Sequence, residues 1–210
     1  MGSAGRAGAH PALAENLLTS KLASQAIFRQ RTETMKLVGW LRFTWESRLL
    51  PSTSYIITEQ YSIRRAAKQE KTQAWQVISS CFLLDTCWND VVNDLLRRIH
   101  HDFDEKFSHR EIDCLVITHG NRIIGASVVQ PLPEVANHLL SGPCVSNEYR
   151  NRGFGALLLK ESLLIVAKHG LPEVFGITRS TSPAAKFVYP KFGGKSENYE
   201  LPMGDVALAR

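Results

Sequence analysis

From residue 56 onward the apolar positions follow two spacings, one every second residue and one every third or fourth. Residues 56–64 alternate loosely and predict a strand, whereas 68–83 and 89–103 carry apolar side chains at helical spacing, including Val91, Val92, Leu95, Leu96 and Ile99. Cys114-Leu115-Val116-Ile117-Thr118 and Ile123-Ile124-Gly125-Ala126-Ser127-Val128-Val129 flank His119-Gly120-Asn121-Arg122, a turn sequence that predicts a hairpin. Residues 139–145 predict the next strand, 153–169 a helix, 173–178 a strand and 182–192 a helix. The segment 195–208 predicts a strand pair turned at Pro202 and Gly204. Together these elements predict an α/β fold of the α+β kind, a mixed, mostly antiparallel central sheet of six to seven strands with helices on both faces.

The first residues follow a different pattern. Residues 1–52 form an N-terminal extension with a Gly/Ala-rich start, Arg and Ser but little acid, which suits either an organelle transit peptide or a disordered tail. From Leu17 onward it gains apolar residues, including Phe28, Trp40, Leu41, Phe43 and Trp45, too many for pure disorder. Residues 34–50 predict a helix or short elements docking on the domain or a partner, ended by Pro51. The domain proper is expected over residues 53–210.

With 210 residues, 44% hydrophobic and 21% charged, the chain suits one globular domain plus that extension. The net charge of +5 is uneven: residues 1–52 carry +4, and the remainder is nearly neutral. A basic stripe for nucleic acid is not expected, because the only dense pairs on the domain are Arg64-Arg65 and Arg97-Arg98. Cysteines 81, 87, 114 and 144 form no C-x-x-C and lie among apolar neighbours, which fits buried thiols in a reducing compartment such as the cytoplasm. No run of about 18 apolar residues offers a membrane span. Gly2 lacks the Ser or Thr at position 6 of a myristoylation signal, since Arg6 stands there. His100-His101 has no ligand partners at metal spacing, and no metal is expected.

Candidate chemistry concentrates at Arg150-Asn151-Arg152-Gly153-Phe154-Gly155-Ala156, between a strand and an apolar helical run. The first amides of a helix lack intrahelical partners and sit at the positive end of its dipole, so a pyrophosphate satisfies both. Gly153 and Gly155 let backbone amides close on phosphate oxygens, and Arg150 and Arg152 add charge. No Lys-Ser or Lys-Thr pair follows, and Leu158 stands where a dinucleotide fingerprint needs its third glycine. A plain surface turn with helix-capping glycines is the competing reading.

A second segment resembles the same family as the first. The loop from Arg150 to Gly155, followed by a strand at 173–178 and then Ser182-Pro183-Ala184-Ala185-Lys186-Phe187-Val188-Tyr189-Pro190-Lys191-Phe192-Gly193-Gly194, is similar to the GCN5-related N-acetyltransferases (GNAT). Those proteins follow an acyl-CoA loop with a helix carrying an Asn, an Ala and a Tyr before a Lys-x-Gly close. The resemblance covers roughly residues 112–194. It implies an acyl-CoA N-acyltransferase-like fold, with acetyl-CoA as cosubstrate and an amine as acceptor. Pantetheine would lie in the gap between the strands at 139–145 and 173–178, held by backbone groups near Cys144 and Val145. The loop 150–156 would bind the pyrophosphate, with Ser182 and Ala185 at the positions of the family's Asn and Ala. Tyr189 would be the general acid for the departing thiolate.

Three features depart from the pattern: Ser182 replaces the Asn yet suits a helix N-cap before Pro183, Pro190 follows the Tyr inside the helix, and Pro143 lies in the pantetheine strand. Gly194 also replaces a closing Phe, whose packing Phe192 could supply. No general base stands out: Glu148 suits a solvated turn, and His138 suits either the acceptor cleft or a surface strand end. Asp85, Asp90, Asp94, Asp102, Asp104 and Glu105 suit either a cationic acceptor or a solvated helix face. The expected function is acetyl transfer to a small or peptide amine by direct attack in a ternary complex. The alternatives are a non-catalytic acyl-CoA-binding or regulatory module and an interaction protein recruiting a partner or nucleic acid through residues 1–52. The oligomeric state is open, a homodimer included.

Overall fold

The computed structural model describes residues 39–51, 58–109 and 111–201. The Gly/Ala-rich start, residues 34–38 of the 34–50 segment, the start of the strand at 56 and the turn at Pro202 and Gly204 lie outside them.

The segment Trp40–Glu46, aromatic and partly β-branched, is a strand, β1, so of the helix or short docking elements expected of residues 34–50 it is the short element, and part of the fold itself. Its alternate side chains Phe43 and Trp45 are buried, a period of two that only a strand satisfies. β1 is the central strand of its sheet, antiparallel to both β6 (Glu173–Arg179) and β7 (Lys195–Tyr199). The fold therefore begins before residue 53, and the boundary expected at 52 falls too late.

A second sheet has the order β2-β3-β4-β5, all antiparallel, with β2 at Tyr61–Arg65, β3 at Asp113–His119, β4 at Arg122–Val129 and β5 at Cys144–Val145. The single mixed sheet expected from sequence is thus two antiparallel sheets, with seven strands among the described residues. The β3–β4 hairpin turns where expected, through Gly120 at φ 56°. Among the described residues the α-helices are α1 (Lys71–Leu84), α2 (Val92–His109) and α3 (Phe154–Lys168); α1 and α3 pack on the strands and α2 packs on α1. Successive residues of β3 and β4 feed two cores. Leu115, Ile117 and Ile124 join a cluster with α3, whereas Cys114, Val116, Ile123, Ala126 and Val128 join one with α1 and α2. Burial on both faces explains why these strands read as nearly continuous apolar runs.

Two elements are shorter than their sequence pattern. The strand expected over 139–145 survives only as β5 plus an isolated bridge between Val129 and Leu139, because Gly142 takes φ 61° and Pro143 donates no hydrogen bond. The helix expected over 182–192 is a π-helical turn, Ala184–Val188, then a 3-10 turn at Lys191–Gly193. Pro190 accounts for the break: the last amide before it, on Tyr189, reaches back five residues to the Ala184 carbonyl at 2.8 Å.

The two sheets part between β5 and β6, and side chains of the loop between β4 and β5 meet the free edge of β6. Asn137 Oδ1 accepts from the Ile177 amide at 3.2 Å, and His138 Nδ1 accepts from the Phe175 amide at 2.9 Å. The His138 amide in turn donates to the Phe175 carbonyl at 2.9 Å. Backbone groups that a neighbouring strand would have paired are met in this way without closing the gap.

Candidate functional site

A cavity of about 620 Å³ lies at that gap. Of the residues singled out by sequence, Cys144, Val145, Arg150, Asn151, Gly153, Phe154, Gly155, Ala156, Ser182 and Tyr189 line it; Arg152 and Ala185 do not.

The loop at one end turns through two left-handed residues, Asn151 at φ 62° and Gly153 at φ 86°, before α3 begins at Phe154. A Cβ on Gly153 would meet no protein atom within 4 Å, and one on Gly155 only Val188 Cγ2 at 3.5 Å. Internal packing therefore does not demand glycine at 155; what its missing side chain leaves clear is the approach to the helix start. Arg150 Nε donates to the Val145 carbonyl at 3.2 Å, which ties the loop to β5. Arg152 turns elsewhere, donating to the Glu148 carbonyl at 3.1 Å with its guanidinium 5.2 Å from the Tyr149 ring. Glu148 is exposed and paired with Arg122, as a solvated turn residue should be. Tyr149, which sequence did not single out, also lines the cavity and hydrogen-bonds His119 Nδ1 at 2.9 Å.

Tyr189 is held from three sides. Phe43 and Trp45 of β1 meet its ring edge-on at 5.3 and 5.4 Å, and its hydroxyl rests against Gly142, where a Cβ would come within 2.4 Å of the oxygen. The ring is buried, and burial, with the neighbouring Cys144 thiol adding, pushes the phenol above its ordinary value. A Gly-Pro pair inside a strand pattern signals a close backbone approach, so the Gly142 contact had a trace in the sequence.

Around Tyr189 the departures from the family pattern have structural reasons. Ser182 Oγ accepts from the Ala185 amide at 3.1 Å and shares a hydrogen bond with Thr178 Oγ1 at 3.0 Å, so it caps the π-turn. Ala185 is buried in the core. Gly194 has no room for a side chain: a Cβ there would lie 2.6 Å from Trp45 Nε1 and 2.1 Å from the Tyr189 carbonyl. Phe192 packs against the same core.

The far end of the cavity is aromatic and mixed in charge. Trp40, Phe82 and Trp88 line it, Trp88 lying 6.0 Å from Trp40 and 5.1 Å from Phe82. Asp85 and Asp102 are its carboxylates, and Asp102 also pairs with Lys106 at 3.0 Å. The other acidic candidates have structural partners: Asp90 holds the buried Arg179, Asp94 pairs with Arg97 and Asp104 with Lys71, and Glu105 faces His101. His138 is not at the surface; it is buried, and desolvation lowers its pKa below 6.5. Among the described residues, no group of three His, Cys, Asp or Glu could hold a metal ion, and no helix is long and apolar enough to cross a membrane.

Residues 110–193, which hold the loop, α3 and Tyr189, match the family described as acetyltransferase (GNAT) domain. Solved structures share the fold at low identity. A GCN5-related N-acetyltransferase from Sphaerobacter thermophilus matches with a TM-score of 0.55 at 14% identity, over 83% of this chain and 54% of its own. A functionally unknown conserved protein from Staphylococcus epidermidis ATCC 12228 matches with a TM-score of 0.53 at 14% identity, over 76% and 58%. A tandem GNAT protein from the clavulanic acid biosynthesis pathway, solved without AcCoA, matches with a TM-score of 0.51 at 12% identity, over 80% and 55%. The chain thus spans little more than half the length of these structures. No curated protein matches it.

Proposed function

We propose that this chain, whose residues 110–193 are a domain of the GNAT acetyltransferase family, transfers an acetyl group from acetyl-CoA to the amine of a small molecule or peptide. One observation carries this reading: the glycine-bearing start of α3 and the Tyr189 side chain line the same cavity, beside the break between β5 and β6. The amides of residues 154–156, with Arg150 beside them, suit a pyrophosphate. The β5 edge at Cys144 and Val145 would hold the pantetheine arm, and Ser182 and Ala185 would position the turn that carries Tyr189.

Direct attack needs a deprotonated amine, a donor to the oxyanion and a proton, or at least a hydrogen bond, for the departing thiolate. Tyr189 fits the last role. A phenol is protonated at neutral pH in any case, and the upward shift extends that into the alkaline range, so a donor is present throughout. A phenol so weakly acidic gives up its proton only to a thiolate that is itself destabilised. The burial that raises the phenol raises any thiolate beside it as well. Asp85 and Asp102 would face the acceptor, where a carboxylate favours a cationic amine and can take its proton directly or through water.

Calorimetric titration of acetyl-CoA into the wild type and an Arg150→Ala, Gly153→Asp variant, with thiol release followed over an amine panel, tests the reading. Binding lost in the variant together with thiol release supports it. Binding without turnover by any amine would favour a non-catalytic acyl-CoA module, the reading that Pro143 and Pro190 motivate. No binding by folded wild type would reject both.

A further inference from the structure

Two thiol side chains lie on the cavity wall and perform no step of the reaction proposed above. Cys81 lies on α1 and Cys144 on β5, and both line the cavity. Cys81 Sγ donates to the Val145 carbonyl at 3.3 Å, on the residue next to Cys144, Cys144 Sγ donates to the Ser141 carbonyl at 3.7 Å, and both side chains belong to one buried cluster. Arg150 Nε reaches the same Val145 carbonyl at 3.2 Å, which sets a guanidinium beside the pair. The four cysteines do not behave alike. Cys87 and Cys114 are pushed up to about 12 by burial, whereas the Cys144 thiol, and then Arg150, hold Cys81 below its ordinary value. Cys144 moves up through the Cys81 thiol and its own burial. An attacking thiolate beside a resolving thiol is the arrangement that peroxide-sensitive pairs require.

We propose that Cys81 and Cys144 are a dithiol modification site, which peroxide closes into a disulfide that ties α1 to β5 and hinders entry of the acyl-CoA arm. The Cys81 thiolate attacks one oxygen of hydrogen peroxide. The O–O bond breaks, and the departing hydroxide is protonated to water, leaving a sulfenic acid on Cys81. Cys144 Sγ then attacks the Cys81 sulfur and displaces its hydroxide, which takes the Cys144 proton as a second water. Two thiols lose two electrons, and one peroxide gains them. A disulfide bond of about 2.05 Å is much shorter than any contact between two thiols, so α1 and β5 must draw together. The Val145 and Ser141 carbonyls lose their thiol donors in the same step. The pairing rests on the placement of the two thiols on one cavity wall; its effect on the cavity rests on the acetyl-CoA reading.

The test titrates the full reduced chain with hydrogen peroxide. Expected are a mass loss of about 2 Da, a mapped Cys81–Cys144 peptide, reversal by a dithiol reductant, and acetyl-CoA affinity weakened by about tenfold or more in the oxidised form. The Cys81→Ser variant should keep its affinity through the same treatment, and a Cys87→Ser, Cys114→Ser variant should still form the bridge. Sulfinic acid on either cysteine in place of the bridge, a bridge between other cysteines, or a bridge without loss of affinity would overturn the proposal. Failure of the reduced protein to bind acetyl-CoA would sink the transferase reading and the effect on entry. The mass and the peptide map would still decide the pairing.

Discussion

The indole of Trp45 meets the phenol ring of Tyr189 edge-on, with centroids 5.4 Å apart and planes at 80°. Its Nε1 donates to the Lys191 carbonyl at 2.9 Å, so one β1 side chain holds both the ring and the chain that follows it. Trp45 is fully buried, and Trp45→Ala should cost about 3–5 kcal/mol in urea unfolding through lost burial and the cavity left behind. Trp45→Phe keeps most of the burial but leaves the Lys191 carbonyl without this donor, a loss of about 1–3 kcal/mol. In the surviving fraction of either variant kcat should fall more than KM for acetyl-CoA rises. A Trp45→Ala protein as stable as wild type would show that Tyr189 is held by something else.

Gly142 and Tyr189 make a paired prediction. Tyr189→Phe removes a donor and should lower kcat by about 10²–10⁴-fold with KM for acetyl-CoA little changed, the range for loss of a general acid. Gly142→Ala leaves the hydroxyl in place but adds a Cβ 2.4 Å from it, at a φ of 61° that disfavours any L side chain. It should therefore lower kcat in the same direction, and combining it with Tyr189→Phe should cost less than the sum of the two. Full additivity in steady-state kinetics would mean that the two positions act independently.

How much of this was legible in the sequence depended on how local each cause is. The hairpin, α1, α2 and α3 follow from periodicity, and the loop at 150–156 from local turn chemistry, so sequence reached them. β1 was not legible as a strand because its aromatic residues acquire a role only once β6 and β7 flank it, more than 120 residues later in the chain. Arg152 looked equivalent to Arg150, yet the Tyr149 ring and the Glu148 carbonyl take it away from the cavity. Spacing alone does not carry that difference. The clasp of Gly142 on Tyr189 was half visible: a Gly-Pro pair in a strand marks a close approach without naming what approaches.

The two loop arginines should separate experimentally. Arg150 lines the cavity and ties the loop to β5, so Arg150→Ala should raise KM for acetyl-CoA by about tenfold or more, as loss of a charge-assisted contact does. Arg152→Ala should change it by less than about threefold, since exposed pairs contribute little. Initial-rate measurements over a range of acetyl-CoA concentrations check this, and equal effects would put both guanidiniums on the pyrophosphate.

His138 should make the fold sensitive to acid. Its Nδ1 accepts the Phe175 amide proton at 2.9 Å, which only the ring form with a free Nδ1 lone pair can do. Desolvation, with the charge of Arg42 acting in the same direction, holds its folded pKa below 6.5, while the Leu132 carbonyl opposes the shift. A histidine whose folded pKa is depressed favours the neutral state on folding. Its contribution is complete above pH 6.5 and is lost as pH falls from 6.5 through the lowered value. Urea midpoints at pH 7.5, 6.5 and 5.5 should therefore fall most steeply over the last interval. His138→Gln cannot titrate: it should begin less stable at pH 7.5 and lose less on acidification. Parallel curves for variant and wild type would assign the acid sensitivity to other groups and leave the bond between His138 and β6 without a pH-dependent role.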